Sequence, residues 1–151
     1  MRYTSVTIPQ YRDREEVREV ERLYLDAIVT ARRALYCEGQ CFVSRRLAEA
    51  IAERLRQKDG PEIVVINPES ADGFLEAETM DTARYRLLKL IRETAAFNRF
   101  RIYTPVTEKR QPIHVHAKIM IVDDCLLRVG SSNFNNRPWD STPSATLLSK
   151  S

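Results

Sequence analysis

No apolar stretch in the chain approaches the ~18–20 residues that a transmembrane helix needs. The first residues, MRYTSVTIPQY, lack the apolar core of a secretory signal. These absences predict a cytoplasmic protein or one held peripherally at a membrane. Cysteine is scarce: Cys37, Cys41 and Cys125 are three, an odd number, which argues against a disulfide framework. Cys37-x-x-x-Cys41 has poor zinc spacing and lies on an apolar run, so both read as small core residues. No internal repeat is visible. Net charge is weak, +3, which permits an anionic partner without demanding one. With 151 residues, 43% hydrophobic and 30% charged, the chain is bounded to one globular domain or part of one.

Histidine is scarcer still, and both histidines fall in one stretch, His114 to Asn133, HVHAKIMIVDDCLLRVGSSN. It reads as two strands, Lys118–Asp123 and Leu126–Val129, with Asp123-Asp124 as turn residues between them. Strand alternation would turn His114, His116 and Lys118 to one face. Two imidazoles and an ammonium beside a Gly-Ser turn suit an anion. A phosphodiester gains charge on its equatorial oxygens during displacement. Lys118 supplies a point charge, while Asn133 and the turn at Ser131 supply donors. Imidazole titrates near neutrality, so it can attack as free base and donate as cation. His114-x-His116 is also a metal half-site, but Lys118 on the same face would repel a cation, and no cysteine or glutamate completes the set. No metal or other cofactor is implied.

The spacing His116-x-Lys118, then Asp123, then Gly130-Ser131-x-Asn133 resembles the phospholipase D superfamily. That resemblance implies a covalent phosphohistidine, formed by one histidine while a second, from another copy of the motif, protonates the leaving oxygen. It makes His116, Lys118 and Asp123 the catalytic motif residues. His116 would be the nucleophile or its acid partner, and Lys118, Ser131 and Asn133 would bind phosphate. Asp123 would carry structural weight, and His114 would at most line the site. Glu38-Gly-Gln40-Cys-Phe42 is similar to a Glu-Asn-Gln-Tyr-Phe segment near the family's site, with Glu38 and Gln40 on one face.

The rest of the chain alternates helix and strand. Residues 1–12 read as an irregular arm. Asp13 opens a helix to about Ala34, with Val17, Val20, Tyr24, Ala27, Ile28 and Ala31 inward. Leu35–Val43 reads as a strand. Ser44 caps a helix to about Lys58 that buries Leu47, Ile51 and Leu55 and ends at Gly60-Pro61. Glu62–Asn67 is an apolar strand of the kind covered by helices on both faces. Leu75–Phe97 is a long helix whose Arg84, Arg86, Lys89 and Arg92 are expected in solvent, and Phe100–Thr104 is a strand. The order predicts an α/β fold, a mixed sheet layered between helices and one half of a phospholipase D-type two-fold unit.

Two departures from the family pattern matter. One motif is present where the family's catalytic unit holds two, so activity would need a homodimer or a separate first half. After Arg137 the family's continuation, with a glutamate that hydrogen-bonds a catalytic histidine, is missing, and Ser144 stands in the glutamate's place. In a back-translation, one base inserted after the Arg137 codon encodes Ser-Met-Gly-Leu-Asp-Thr-Glu-Cys-Asp-Leu, the expected continuation. Residues 1–137 therefore read as the catalytic half-domain, and 138–151 as a disordered, frameshifted tail. The expected function is a phosphodiesterase or phosphatidyltransferase acting on phospholipid at a membrane surface. The alternatives are a truncated, inactive remnant or partner-binding half-domain, and a phosphodiesterase acting on nucleic acid, which would favour a more basic groove.

Overall fold

A computed structural model describes residues 2–8, 17–40, 42, 44–68, 74–95, 97–131 and 144–150. The described chain forms one eight-stranded sheet and three helices, in the order β1 (Arg2–Ile8), β2 (Val17–Arg18), α1 (Glu19–Thr30), β3 (Ala34–Gly39), α2 (Arg45–Arg56), β4 (Glu62–Ile66), α3 (Phe74–Thr94), β5 (Phe100–Tyr103), β6 (Lys118–Val122), β7 (Leu126–Gly130) and β8 (Ser144–Lys150). Across the sheet the strands run β2-β1-β8-β7-β6-β3-β4-β5. β3, β4 and β5 are parallel, joined by α2 and α3 as crossovers, while β6 runs antiparallel to β3 and begins an antiparallel half.

Local sequence accounts for most of this. Ser44 takes an extended conformation before α2, and its hydroxyl accepts from the Leu47 N–H at 3.4 Å. Gly60 closes that helix because a Cβ there would collide with the carbonyl oxygen of Arg54. Asp123 and Asp124, both at positive φ (51° and 57°), make the tight β6–β7 turn that their residue type suits. Side chains alternate across the strands. Leu35, Cys37, Ile63, Val65, Met120 and Val122 enter one core with Tyr24 and Ile28 of α1, Ile51 and Leu55 of α2, and Leu87 and Ile91 of α3. Tyr36, Val64, Ile119 and Ile121 occupy the other face and are only partly covered.

Several expectations need correction. The first helix begins at Glu19, not Asp13, since Val17–Arg18 pairs with β1. The arm is not irregular: residues 2–8 form β1. Nor is the tail without order, since Ser144–Lys150 form β8, hydrogen-bonded to both β1 and β7. Each of these strands is completed by the other, a pairing between opposite ends of the chain that no local pattern reveals. Residues 138–143, and Cys41 with them, lie outside the described residues. Cys37 is buried, and Cys125 is exposed on the β6–β7 turn.

Candidate active site

β6 enters the sheet beside β3, so its first residue, Lys118, lies opposite Gly39 at the C-terminal end of that strand. β4 and β5 end at the same edge, and Gly130 and Ser131 close β7 there. Such an edge, beyond the carboxyl ends of parallel strands, is where open α/β sheets place their ligands. His114 and His116 precede the strand in extended coil, and do not continue its ladder as the alternation suggested. β6 begins at Lys118 because residues 113–117 make no sheet pairing. Between the histidines Val115 is buried, which pins the segment and leaves both imidazoles at the surface. Their rings stack with centroids 5.9 Å apart and planes 16° from parallel.

Lys118 behaves differently from the histidines. Its side chain is buried, and its ammonium donates to the His116 carbonyl at 2.9 Å and to Gln40 Oε1 at 3.4 Å. Burial pulls its pKa below the ordinary lysine value, because desolvation penalises the cation. Beneath it, the buried Arg128 of β7 donates from Nη1 to the Lys118 carbonyl at 3.2 Å. Its guanidinium stands 4.2 Å from the centre of the Tyr24 ring, a cation–π contact. Burial lowers the Arg128 pKa, an effect that Tyr24 opposes.

Gln40 and Glu38 reach different partners. Gln40 sits in the bend past β3 and reaches Lys118. Glu38 remains in the strand, where it accepts from the Tyr36 hydroxyl at 2.9 Å. Burial, and then that hydrogen bond to a carboxylate, push the Tyr36 phenol up to about 12. Asp123 lies at the far end of β6. A strand of this length separates it from Lys118 by about 16 Å at the usual rise. Its carboxylate accepts three backbone N–H bonds: Arg32 at 2.7 Å, Arg33 at 2.7 Å and Ala34 at 2.9 Å. Burial raises its pKa, but the three N–H donors and the Arg33 charge outweigh it, and the net shift is downward. The structure thus brings His114, His116, Lys118 and Ser131 to one edge and places Asp123 at the other, where it ties the β6–β7 turn to the start of β3. Asn133 lies outside the described residues.

Two residues at this edge were not legible beforehand. Asn67, buried just past β4, donates from Nδ2 to the Gly39 carbonyl at 2.8 Å, and its Oδ1 accepts from Arg84 Nη1 at 3.0 Å. Arg84 also donates to the Pro68 carbonyl at 2.6 Å, so it is not the solvent-facing residue expected of α3. Together they clamp the ends of β3 and β4, directly before Gln40. A polar residue closing an apolar strand at the ligand edge was the available signal. Asn67→Ala is expected to lower stability by about 1.5 kcal/mol, since it leaves buried partners unmatched. Thermal or urea unfolding measures this, and a change within error would show that the clamp carries no energy.

The arrangement defines a class first: a mixed α/β sheet with a buried lysine and two surface imidazoles at its ligand edge. A family model described as cardiolipin synthase, PLD-like domain, matches residues 24–150. The chain belongs to this phospholipase D-like family. The match runs past residue 137, where the half-domain was expected to end. Phospholipase D A of Dictyostelium discoideum is 28% identical over 156 aligned positions, which cover 80% of this chain but only 12% of that protein. Among solved structures, Nuc of Salmonella typhimurium, a phospholipase D family member, is similar with a TM-score of 0.64 at 17% identity, over 98% of this chain and 82% of Nuc. NucT of Helicobacter pylori gives 0.62 at 16% identity, over 98% of this chain and 85% of NucT. The phosphatidylserine synthase of Haemophilus influenzae gives 0.70 at 16% identity, over 97% of this chain and 34% of the synthase. These structures share the fold. The chain spans a small part of the curated relative and about a third of the synthase.

Among the described residues no group of three or more His, Cys, Asp and Glu side chains is placed to hold a metal ion. Also among them, no helix is long and apolar enough to cross a membrane.

Proposed function

We propose that this chain is one half of a phospholipase D-type phosphodiesterase or phosphatidyltransferase that acts on phospholipids. The observation that carries the reading is Lys118, buried at the ligand edge between Gln40 and the His116 carbonyl, beside two surface imidazoles. In this mechanism an imidazole nitrogen of His116 attacks phosphorus. The N–P bond forms as the P–O bond to the leaving alcohol breaks, and the departing oxygen takes a proton from a second imidazolium. Water, or an acceptor alcohol in a transferase, then attacks phosphorus. The N–P bond breaks, and the attacking oxygen returns its proton to that second imidazole. Lys118, Ser131 and Asn133 bind the phosphate oxygens and offset their growing charge. Asp123 acts from a distance, by fixing the turn that follows the lysine strand.

The second imidazole belongs to another copy of the motif. A self-pairing chain or a separate first half would supply it. Phospholipid is favoured over nucleic acid by the match to a cardiolipin synthase-like domain and by the weak net charge.

The test pairs mass with turnover. Gel filtration of the purified chain, alone and mixed with a first half from a related enzyme, is followed by assay on bis-p-nitrophenyl phosphate and phosphatidylcholine. Turnover is expected only in the fraction that holds two motifs, and activity in a strict monomer would refute the two-histidine mechanism. EDTA is expected to leave the rate unchanged within about twofold, since Lys118 supplies the charge that a metal would otherwise bring. Loss on chelation, with recovery on adding a divalent ion, would instead favour a metal at His114 and His116.

A further inference from the structure

Between β5 and the histidines the chain makes a small hairpin that packs its own backbone. Val106 and Pro112 form an antiparallel bridge. The Thr107 N–H donates to the Gln111 carbonyl at 2.8 Å, and the Ile113 N–H to the Pro105 carbonyl at 3.1 Å. The tip is closed by the Arg110 N–H on the Thr107 carbonyl at 2.8 Å and by the Gln111 N–H on Thr107 Oγ1 at 3.1 Å. Arg110 takes a positive φ of 61° to make that turn. Pro105 and Pro112 bracket the hairpin and stiffen it.

Its side chains are not those of a loop built to sit in water. Val106 is 48% exposed and Ile113 41%, with Tyr103 at its base 54% exposed. In an antiparallel pair Val106 and Pro112 share one face, while Pro105 and Ile113 share the other. Both faces of the hairpin are therefore apolar, and its tip carries Lys109 and Arg110 against a single carboxylate, Glu108. Its last residue, Ile113, leads directly into His114.

We infer that this hairpin is an interfacial anchor that seats the catalytic edge on an anionic phospholipid surface. An element enters the headgroup region at lower cost when its backbone polar groups are bonded internally, as the N–H groups of Thr107, Arg110, Gln111 and Ile113 are here. Val106, Pro112 and Ile113 enter the acyl boundary, and Lys109 and Arg110 meet lipid phosphates. Charge sets the choice of occupant. A basic tip between apolar flanks complements a surface that is anionic outside and apolar beneath, whereas a nucleic acid offers nothing to the valine and isoleucine. The inference rests on the lipid reading of the site and adds where the lipid surface is held.

Vesicle binding tests it without requiring turnover. The full chain is sedimented with vesicles of phosphatidylglycerol and phosphatidylcholine, with vesicles of phosphatidylcholine alone, and mixed with duplex DNA. Binding to the anionic vesicles is expected, and the paired change Lys109→Ala with Arg110→Ala should weaken it about tenfold. Val106→Asp with Ile113→Asp should weaken it at least as much. These side chains are exposed, so circular dichroism and unfolding should match the wild type. A second measurement guards against misfolding: in a Trp139→Phe background, Val106→Trp should shift its emission to the blue with anionic vesicles. Equal vesicle binding by all variants, no emission shift, or binding to DNA but not to vesicles would overturn the anchor. Intact vesicle binding with no phosphodiester chemistry would overturn the site reading and leave the anchor standing.

Discussion

Alanine at His116 is expected to abolish phosphodiester turnover in any assembly that pairs two copies of the motif, by about a thousandfold or more. The magnitude follows from the role. A nucleophile has no substitute at its position, and what remains is the modest gain from charge and binding alone. His114→Ala is expected to cost far less, within about tenfold, although the two rings stack at 5.9 Å. The structure supplies the reason for expecting a difference. The His116 carbonyl accepts from the Lys118 ammonium, so the backbone of this residue is tied directly to the buried lysine. Steady-state rates on bis-p-nitrophenyl phosphate decide it, with the fold verified by circular dichroism. Turnover near the wild-type rate in His116→Ala would end the phosphohistidine mechanism. Equal losses at both positions would mean that the imidazoles act as a pair.

At the opposite end of the strand, Asp123→Ala is expected to lower stability by about 3 kcal/mol, at about 1 kcal/mol for each backbone N–H bond it removes. Those bonds reach Arg32, Arg33 and Ala34, so the loss falls on the junction between α1 and β3. The pH dependence has a definite sign. The folded carboxyl titrates below its ordinary range, so its contribution is complete above the unfolded pKa of about 3.9 and disappears as pH falls through the lower folded value. Unfolding followed from pH 6 downward should show wild-type stability falling at acid pH, and Asp123→Asn should flatten that fall. A variant with unchanged stability and lost activity would place Asp123 in the chemistry instead. That outcome would contradict the distance between it and Lys118.

Much of the fold is legible because it is local. The apolar spacing of Val20, Tyr24, Ala27 and Ile28 marks α1, Ser44 announces α2, and paired aspartates announce the β6–β7 turn. The candidate site is legible to the extent that the residues brought to one edge lie close together in the chain, as His116, Lys118 and Ser131 do. What remained hidden depends on distant partners. Arg84 looks like a solvent residue on its helix, and only the end of β4 reveals Asn67 waiting for it. Gln40 looks like a strand residue, until the chain bends after Gly39 and turns it onto Lys118. Arg128 sits in an apolar strand, and the Tyr24 ring that accepts its charge comes from the first helix. β1 and β8 escaped because neither is apolar enough to be read alone.

The pairing of β1 with β8 also sets an order of events for a chain leaving the ribosome. Arg2 lies opposite Ser149, and Thr7 opposite Ser144. β1 therefore waits for β8, while β3 to β7 can assemble among themselves as soon as residue 130 is free. During that interval the exposed margin of β7 has no neighbour, and β1 has only the two residues of β2. Such a margin recruits other strands readily. Slow translation between residues 130 and 150, or a chain cut short before Ser144, would thus be felt first as association between nascent chains, before any change in the lysine edge itself.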